Sequence, residues 1–270
     1  MPILPVESIE DPRLSDFRDV GDHDRLRERG LFVAESRIVV SDLLSNARFR
    51  TRSLLLTRTS LERMRLADCR HDLPVYVGSL ALMASIVGYH VHRGCLAIGE
   101  RPSHALDEDW LAVARTARLV VVLEDVGNPD NIGGVFRNAA AFGVPLVVVS
   151  PRCGDPLYRK AIRVSIGATL RLPFAEVTDW PGGLERLRSI GLSLVALTPD
   201  PTAVDIDHFA DRASGRLAVL LGSEGTGLTA AALQLADARV RIPMAPGTDS
   251  LNMSAAVAIA LHRLARLGSA

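Results

Sequence analysis

From residue 119 to residue 244 the chain alternates mostly apolar runs with segments of helical spacing. LVVVLEDV (119–126), PLVVVS (145–150), LRLPFAEV (170–177), SLVALT (193–198), RLAVLLGSE (216–224) and ARVRIPM (238–244) are short and mostly rich in Val and Leu. Such runs read as strands buried on both faces. Between them lie helical stretches: IGGVFRNAAAF (132–142), which Gly143 can terminate, LYRKAIRVS (157–165), 184–190 and 229–236. After the last strand come a loop with Pro and Gly and a final helix, which Ser250 can cap. That helix is apolar on every side over 255–261, so it is expected to be buried all round, in a core or against another subunit. Strands alternating with helices predict an α/β fold with a parallel sheet covered on both faces. Ligands bind beyond the carboxyl ends of such strands. That rule selects the loops 124–131, 222–228 and 243–252.

Upstream the pattern is less regular. Residues 1–30 are polar, with 16–29 readable as a solvated helix, and the apolar spacing of 31–44 predicts a second helix. SLLLT (53–57) and LPVYVG (73–78) predict strands, SLALMASIVG (79–88) a helix, and HVHRGCLAIGE (90–100) a further strand. The result is a smaller α/β unit over residues 1–103, a linker over 104–117 that contains Asp107, Glu108 and Asp109, and a larger domain over 118–270.

With 48% hydrophobic residues, the 270-residue chain can bury substantial cores. It lacks the ~18-residue apolar run that a membrane span needs, and its first residues carry no secretory pattern. Three scattered cysteines, Cys69, Cys95 and Cys153, fit a reducing cytoplasm. Net charge is zero, which argues against indiscriminate nucleic-acid binding. Charge is nevertheless clustered: Arg152, Arg159, Lys160, Arg163 and Arg171 face a single acid, Asp155, within 152–171. Lys160 is the only lysine; arginine suits bidentate phosphate contact, although a GC-rich genome would produce the same preference. Arg159 and Arg163 share a helix face, so Arg152, Arg159, Lys160 and Arg163 are the candidate RNA contacts. His90 and His92 near Cys95 are too few for a metal site, and no metal is expected. The first loop lacks the spacing of a dinucleotide fingerprint, and no lysine stands where a phosphate-binding loop requires one.

NPDNIGGVFRNAAAFGV, LLGSEGTGL and IPMAPGTDSLNMSAAVAIAL, in this order, resemble the SpoU/TrmH family of SPOUT RNA 2′-O-methyltransferases, as does the intervening DPLYRKAIRVSIGATLRLPF. The resemblance spans about residues 119–264. More loosely, the N-terminal part resembles the substrate-binding domain of larger members. The resemblance implies S-adenosylmethionine bound within a deep trefoil knot, a homodimer, and an RNA substrate, rRNA ahead of tRNA. By motif position it implies cofactor contacts from Thr198, Leu221, Gly222, Ser223, Gly227, Ile242, Met244 and Leu251, and catalytic roles for Asn131, Arg137, Glu224, Ser250 and Asn252. Singly these have plainer readings: Asn131 as a helix cap, Glu224 as a turn residue, Ser250 as a cap, Asn252 as capping support. The family scheme makes Arg137 the base; a guanidinium that stays charged suits an electrostatic role better. Two alternatives remain open at this level, a non-catalytic RNA-binding protein with a vestigial pocket and a base methyltransferase on the same fold.

Overall fold

The computed structural model describes residues 1–64, 66, 70–87, 94–102 and 110–265. The chain divides into two compact units, one formed by Met1–Ser103 with Leu157–Arg171, the other by His104–Pro156 with Leu172–Ala270. By its packing, the basic segment thus belongs to the first unit, although in sequence it interrupts the larger domain.

In the first unit β1 (Ile3–Pro5), β2 (Leu31–Glu35), β3 (Arg50–Leu56), β4 (Val75–Val77) and β5 (Cys95–Glu100) form a sheet in the order β1-β4-β3-β5-β2. β5 runs antiparallel to both neighbours, and the remaining pairs are parallel. Two expectations fail here. Residues 31–44 are not one helix: β2 pairs with β5, and a helix begins only at Arg37, after Ser36 turns the chain at φ 85°. Leu31, Phe32, Val33 and Ala34 are all buried, and a strand covered on both faces has the same continuous apolar run as a buried helix. Nor is 16–29 a solvated helix. It is broken into short helical segments, Ser15–Arg18, Asp19–Gly21 and His23–Glu28, whose Phe17, Val20 and Leu26 enter the core with Leu14, Met83 and Leu96. The helix Arg159–Val164 is tied to the unit by an Arg159–Glu35 ion pair of 2.9 Å, and Asn46 Nδ2 donates to the Leu170 carbonyl at 2.6 Å.

The second unit holds a seven-stranded sheet of β6 (Leu119–Leu123), β7 (Val147–Val149), β8 (Phe174–Glu176), β9 (Leu192–Leu197), β10 (Val204–Asp205), β11 (Arg216–Leu221) and β12 (Ala238–Arg241). Its order is β10-β12-β9-β11-β6-β7-β8 and every pair is parallel. The expected α/β class, a parallel-sheet domain beside a smaller α/β unit, is the one observed. The two-residue edge strand β10 and the helix Ile206–Ala210 had no signal in the apolar pattern. The helix Pro129–Ala141 is capped by Asn128, whose Oδ1 accepts from Asp130 N–H at 2.9 Å, and closes at Gly143 with φ 69°. Asn131 is therefore not its cap.

The last helix, Met253–Leu264, corrects one reading and narrows another. Asn252, not Ser250, caps it, with Oδ1 accepting from Ser254 N–H at 2.9 Å. It is not buried all round within the chain either: Val257, Ala260, Leu261 and Leu264 are covered, whereas Ala255 is exposed and Ile259 is 39% exposed. Among the described residues no helix is long and apolar enough to cross a membrane.

Candidate active site

β9, β11 and β12 end at one edge of the sheet, where the chain leaving them encloses a cavity of about 490 Å³. Leu197, Thr198 and Pro199 contribute from β9, 221–228 from β11, and Ile242 and Met244 from β12; 250–253 and Ala256 close the fourth side. The β11 loop folds back on itself. Ser223 N–H donates to the Gly227 carbonyl at 3.2 Å and Gly227 N–H to the Ser223 carbonyl at 3.0 Å. Glycine is required at 222 because a Cβ there would lie 2.1 Å from the Gly227 carbonyl carbon, and at 227 because φ is +69°. The outcome is a concave wall of exposed backbone beside the apolar side chains of Leu221, Ile242 and Leu251.

All eight residues named as cofactor contacts line this cavity: Thr198, Leu221, Gly222, Ser223, Gly227, Ile242, Met244 and Leu251. Glu224, Ser250 and Asn252 line it too, so it gathers three of the five catalytic candidates. Asn131 and Arg137 are not among its lining residues. They lie on the helix Pro129–Ala141, which packs on the last helix: Asn138 Nδ2 donates to the Ser254 carbonyl at 2.7 Å. Asn131 is buried and its Nδ2 has no hydrogen-bond partner, while Arg137 is exposed, with neither hydrogen bond nor ion pair among the described residues. A buried donor without an acceptor is costly and uncommon.

Sequence reading missed Leu197, Pro199, Leu233, Met253 and Ala256 in the lining. It also passed over Glu124, which is 1% exposed. Its Oε1 accepts from Trp180 Nε1 at 2.7 Å and from Thr229 Oγ1 at 2.8 Å, and its Oε2 from Thr229 N–H at 2.7 Å. An acid closing an otherwise apolar strand at the ligand edge was the available signal. Next to it, Asp125 adopts φ 57° and pairs with Arg152. The hydrogen bond from Arg152 holds the Asp125 carboxyl below the usual carboxylate range, against the opposing effect of burial.

The four basic candidates are not alike. Arg152 is engaged by Asp125, Arg159 by Glu35, and Lys160 is half-buried, whereas Arg163 is exposed and without a partner among the described residues. Burial pushes the Cys95 thiol up to about 12. His90 and His92 lie outside the described residues, and among those described no group of three potential metal ligands occurs.

The fold is shared with RNA methyltransferases of known structure. The AdoMet-bound rRNA methyltransferase from Sinorhizobium meliloti superposes with a TM-score of 0.84 at 23% identity, covering 99% of each chain. An RNA 2′-O ribose methyltransferase superposes at 0.79 with 24% identity, covering 98% of this chain and 99% of that one. Residues 118–262 match the model of the SpoU rRNA methylase family, and the chain belongs to that family. An uncharacterised tRNA/rRNA methyltransferase of Mycobacterium bovis is 42% identical over 269 residues, which span 96% of this chain and 90% of the relative. The protein is an RNA methyltransferase of the SpoU family.

Proposed function

We propose that this protein transfers the methyl group of S-adenosylmethionine to a ribose 2′-hydroxyl of structured RNA, rRNA ahead of tRNA, as a cytoplasmic homodimer. The observation that carries the reading is the convergence of all eight cofactor candidates with Glu224, Ser250 and Asn252 on one cavity. The cavity suits the cofactor. Its volume of about 490 Å³ falls within the roughly 300–1,000 Å³ of small-molecule sites, its apolar side chains suit an adenine, and its glycine backbone offers donors and acceptors at close range. The similar Sinorhizobium enzyme is itself AdoMet-bound. In this reading the C-terminal chain is threaded as the trefoil knot that the family resemblance implies.

When bound, S-adenosylmethionine supplies an electrophilic methyl group. A hydroxyl is a poor nucleophile until its proton leaves or its developing charge is stabilised. Arg137 serves the second need: its guanidinium remains charged, more so beside a phosphate, so it orients the RNA backbone and stabilises the forming alkoxide. Its exposure, with no partner among the described residues, leaves it available. The unsatisfied Asn131 Nδ2 is a donor for the same substrate. Because Asn252 caps the last helix, the Ser250 hydroxyl has no structural duty and can face the reaction. Positioning of this kind supplies several kcal/mol of a barrier.

Residues 1–103 serve as the RNA-binding domain, joined by 104–117 to the catalytic domain 118–270. Arg152, Lys160 and Arg163 contact phosphates, and Arg159 braces their helix through Glu35. The uncovered apolar face at Leu251, Ala255 and Ile259 seats the second protomer, whose residues complete the site. No metal takes part. The test is calorimetry with S-adenosylmethionine, followed by mapping of 2′-O-methyl sites in RNA from a deletion strain. Arg137→Lys is expected to lose most activity while retaining cofactor affinity; methylation of a base, or normal turnover by that variant, overturns the reading.

A further inference from the structure

One residue holds both ends of the loop that forms the cavity's glycine wall. Glu124 N–H donates to the Leu221 carbonyl at 2.9 Å, immediately before Gly222. Its carboxylate accepts from Thr229 N–H at 2.7 Å and Thr229 Oγ1 at 2.8 Å, immediately after Leu228. Leu221 and Leu228 both line the cavity, and the paired Ser223 and Gly227 backbones close the loop between them. Trp180, which follows β8, donates to the same carboxylate at 2.7 Å. Glu124 does not line the cavity.

We propose that Glu124 is a positioning residue for the cofactor, clamping the 222–228 loop in its binding geometry through Leu221 and Thr229. All three of its side-chain partners donate, so both oxygens must accept, which a carboxylate does and an amide does at one atom only. Among the described residues Glu124 makes no salt bridge, and its carboxyl group is held by the hydrogen bonds from Trp180 and Thr229. A buried polar group is costly unless its surroundings are arranged to satisfy it. Here that arrangement fixes where a chain of small residues leaves the sheet. Within the loop the side-chain ties are local, Ser223 Oγ lying 2.8 Å from Thr226 Oγ1 and accepting from Thr226 N–H at 3.3 Å, and they do not reach the sheet. Thr229 also caps the helix Ala230–Leu235, its Oγ1 accepting from Ala232 N–H at 3.2 Å, so the clamp is anchored to a regular element.

The inference rests on the cavity being the S-adenosylmethionine site. The experiment is calorimetric titration of the full-length protein with S-adenosylmethionine, together with KM and kcat for methyl transfer, in the parent, Glu124→Gln, Thr229→Val and Thr229→Ser. Glu124→Gln turns an amide donor toward a buried N–H, and the expected loss of cofactor affinity is about tenfold to 100-fold. KM for the cofactor rises accordingly, with kcat at saturation changed by less than about threefold. Thr229→Val follows in the same direction, and Thr229→Ser, which keeps both donors, restores parental affinity. A purely structural role would reduce the folded fraction, lowering kcat and leaving KM unchanged, and that result overturns the proposal. If Glu124→Gln fails to fold, the Thr229 pair decides: equal affinity in Val and Ser variants overturns the clamp, and a tenfold difference supports it. Failure of the parent to bind S-adenosylmethionine removes the cofactor reading and the clamp with it; parental binding with unaffected variants removes the clamp alone.

Discussion

Ser254 occupies the space that a side chain on residue 134 would need. A Cβ on Gly134 would fall 1.7 Å from Ser254 Oγ and 2.8 Å from Ser254 Cβ. The missing side chain lets the helix that carries Asn131 and Arg137 lie close against the helix whose first turns line the cavity. Gly134→Ala therefore forces the two helices apart, because rotating the serine hydroxyl leaves the Cβ contact in place. Overpacking of this kind costs about 1–3 kcal/mol. Adding Ser254→Gly should recover stability even though glycine inside a helix itself costs ~0.5–1 kcal/mol. A double-mutant cycle by denaturant unfolding measures the coupling; strict additivity would refute the contact's importance.

Gly222 and Gly227 face different constraints, and alanine separates them. At 222 a new Cβ would meet Gly227 carbonyl carbon at 2.1 Å and Leu228 nitrogen at 2.2 Å, both backbone atoms that cannot swing aside. At 227 the space is open and only the positive φ is unfavourable, at about 1–2 kcal/mol for a residue with a Cβ. Gly222→Ala should abolish measurable S-adenosylmethionine binding in calorimetry, while Gly227→Ala should weaken it by about fivefold to 30-fold. Equal losses would mean that loop closure between Ser223 and Gly227 does not shape the site.

The sheet of the second unit was legible because its strands are mostly apolar and separated by Gly, Pro and Asn, so that β6, β7, β8, β11 and β12 fall within the runs read from the chain and β9 starts one residue before its run. β10 escaped because two residues at an edge carry no period. In the first unit the same continuous burial misled: β2 and the helix after it fused into one apparent helix, because Ser36 punctuates the chain by a positive φ that no Gly or Pro announces. The cavity lining was legible through loop composition and family resemblance. Glu124 was not, since its importance depends on Trp180 and Thr229, which are 56 and 105 residues distant in sequence. Capping was misassigned between Ser250 and Asn252, two residues that can both cap; only backbone geometry distinguishes them.

The Asp125–Arg152 pair gives a pH-dependent prediction with a definite sign. Arg152 holds the Asp125 carboxyl below its ordinary value. The stabilisation is complete above the unfolded value of about 3.9 and is lost as pH falls through the lowered native value. Arg152→Ala should return the Asp125 titration, followed by carboxyl carbon NMR, toward the ordinary range, so that the Asp125 share of the acid destabilisation disappears. Stability at neutral pH should scarcely change, because Arg152 is largely exposed. An unchanged Asp125 titration would show that Arg152 is not its partner in solution.

Arg159 and Arg163 lie one helical turn apart, and their surroundings assign them opposite tasks. The Arg159 side chain is 14% exposed and paired with a Glu35 side chain that is 12% exposed; burial lowers its pKa against the pull of that acid. Removing it takes an ion-pair partner from a largely buried carboxylate, so Arg159→Ala should destabilise the protein by about 1–3 kcal/mol, read as a lower Tm. Arg163 is exposed and without a partner among the described residues, so Arg163→Ala should leave Tm unchanged. A phosphate contact, however, releases counterions, so RNA binding by Arg163→Ala should show a salt dependence shallower by roughly 0.7–0.9 in log K against log salt. Measuring both properties in both variants separates the brace from the contact. If Arg159→Ala flattened the salt dependence at unchanged Tm, the guanidinium would leave Glu35 for the RNA, and the division of labour between the two arginines would be reversed.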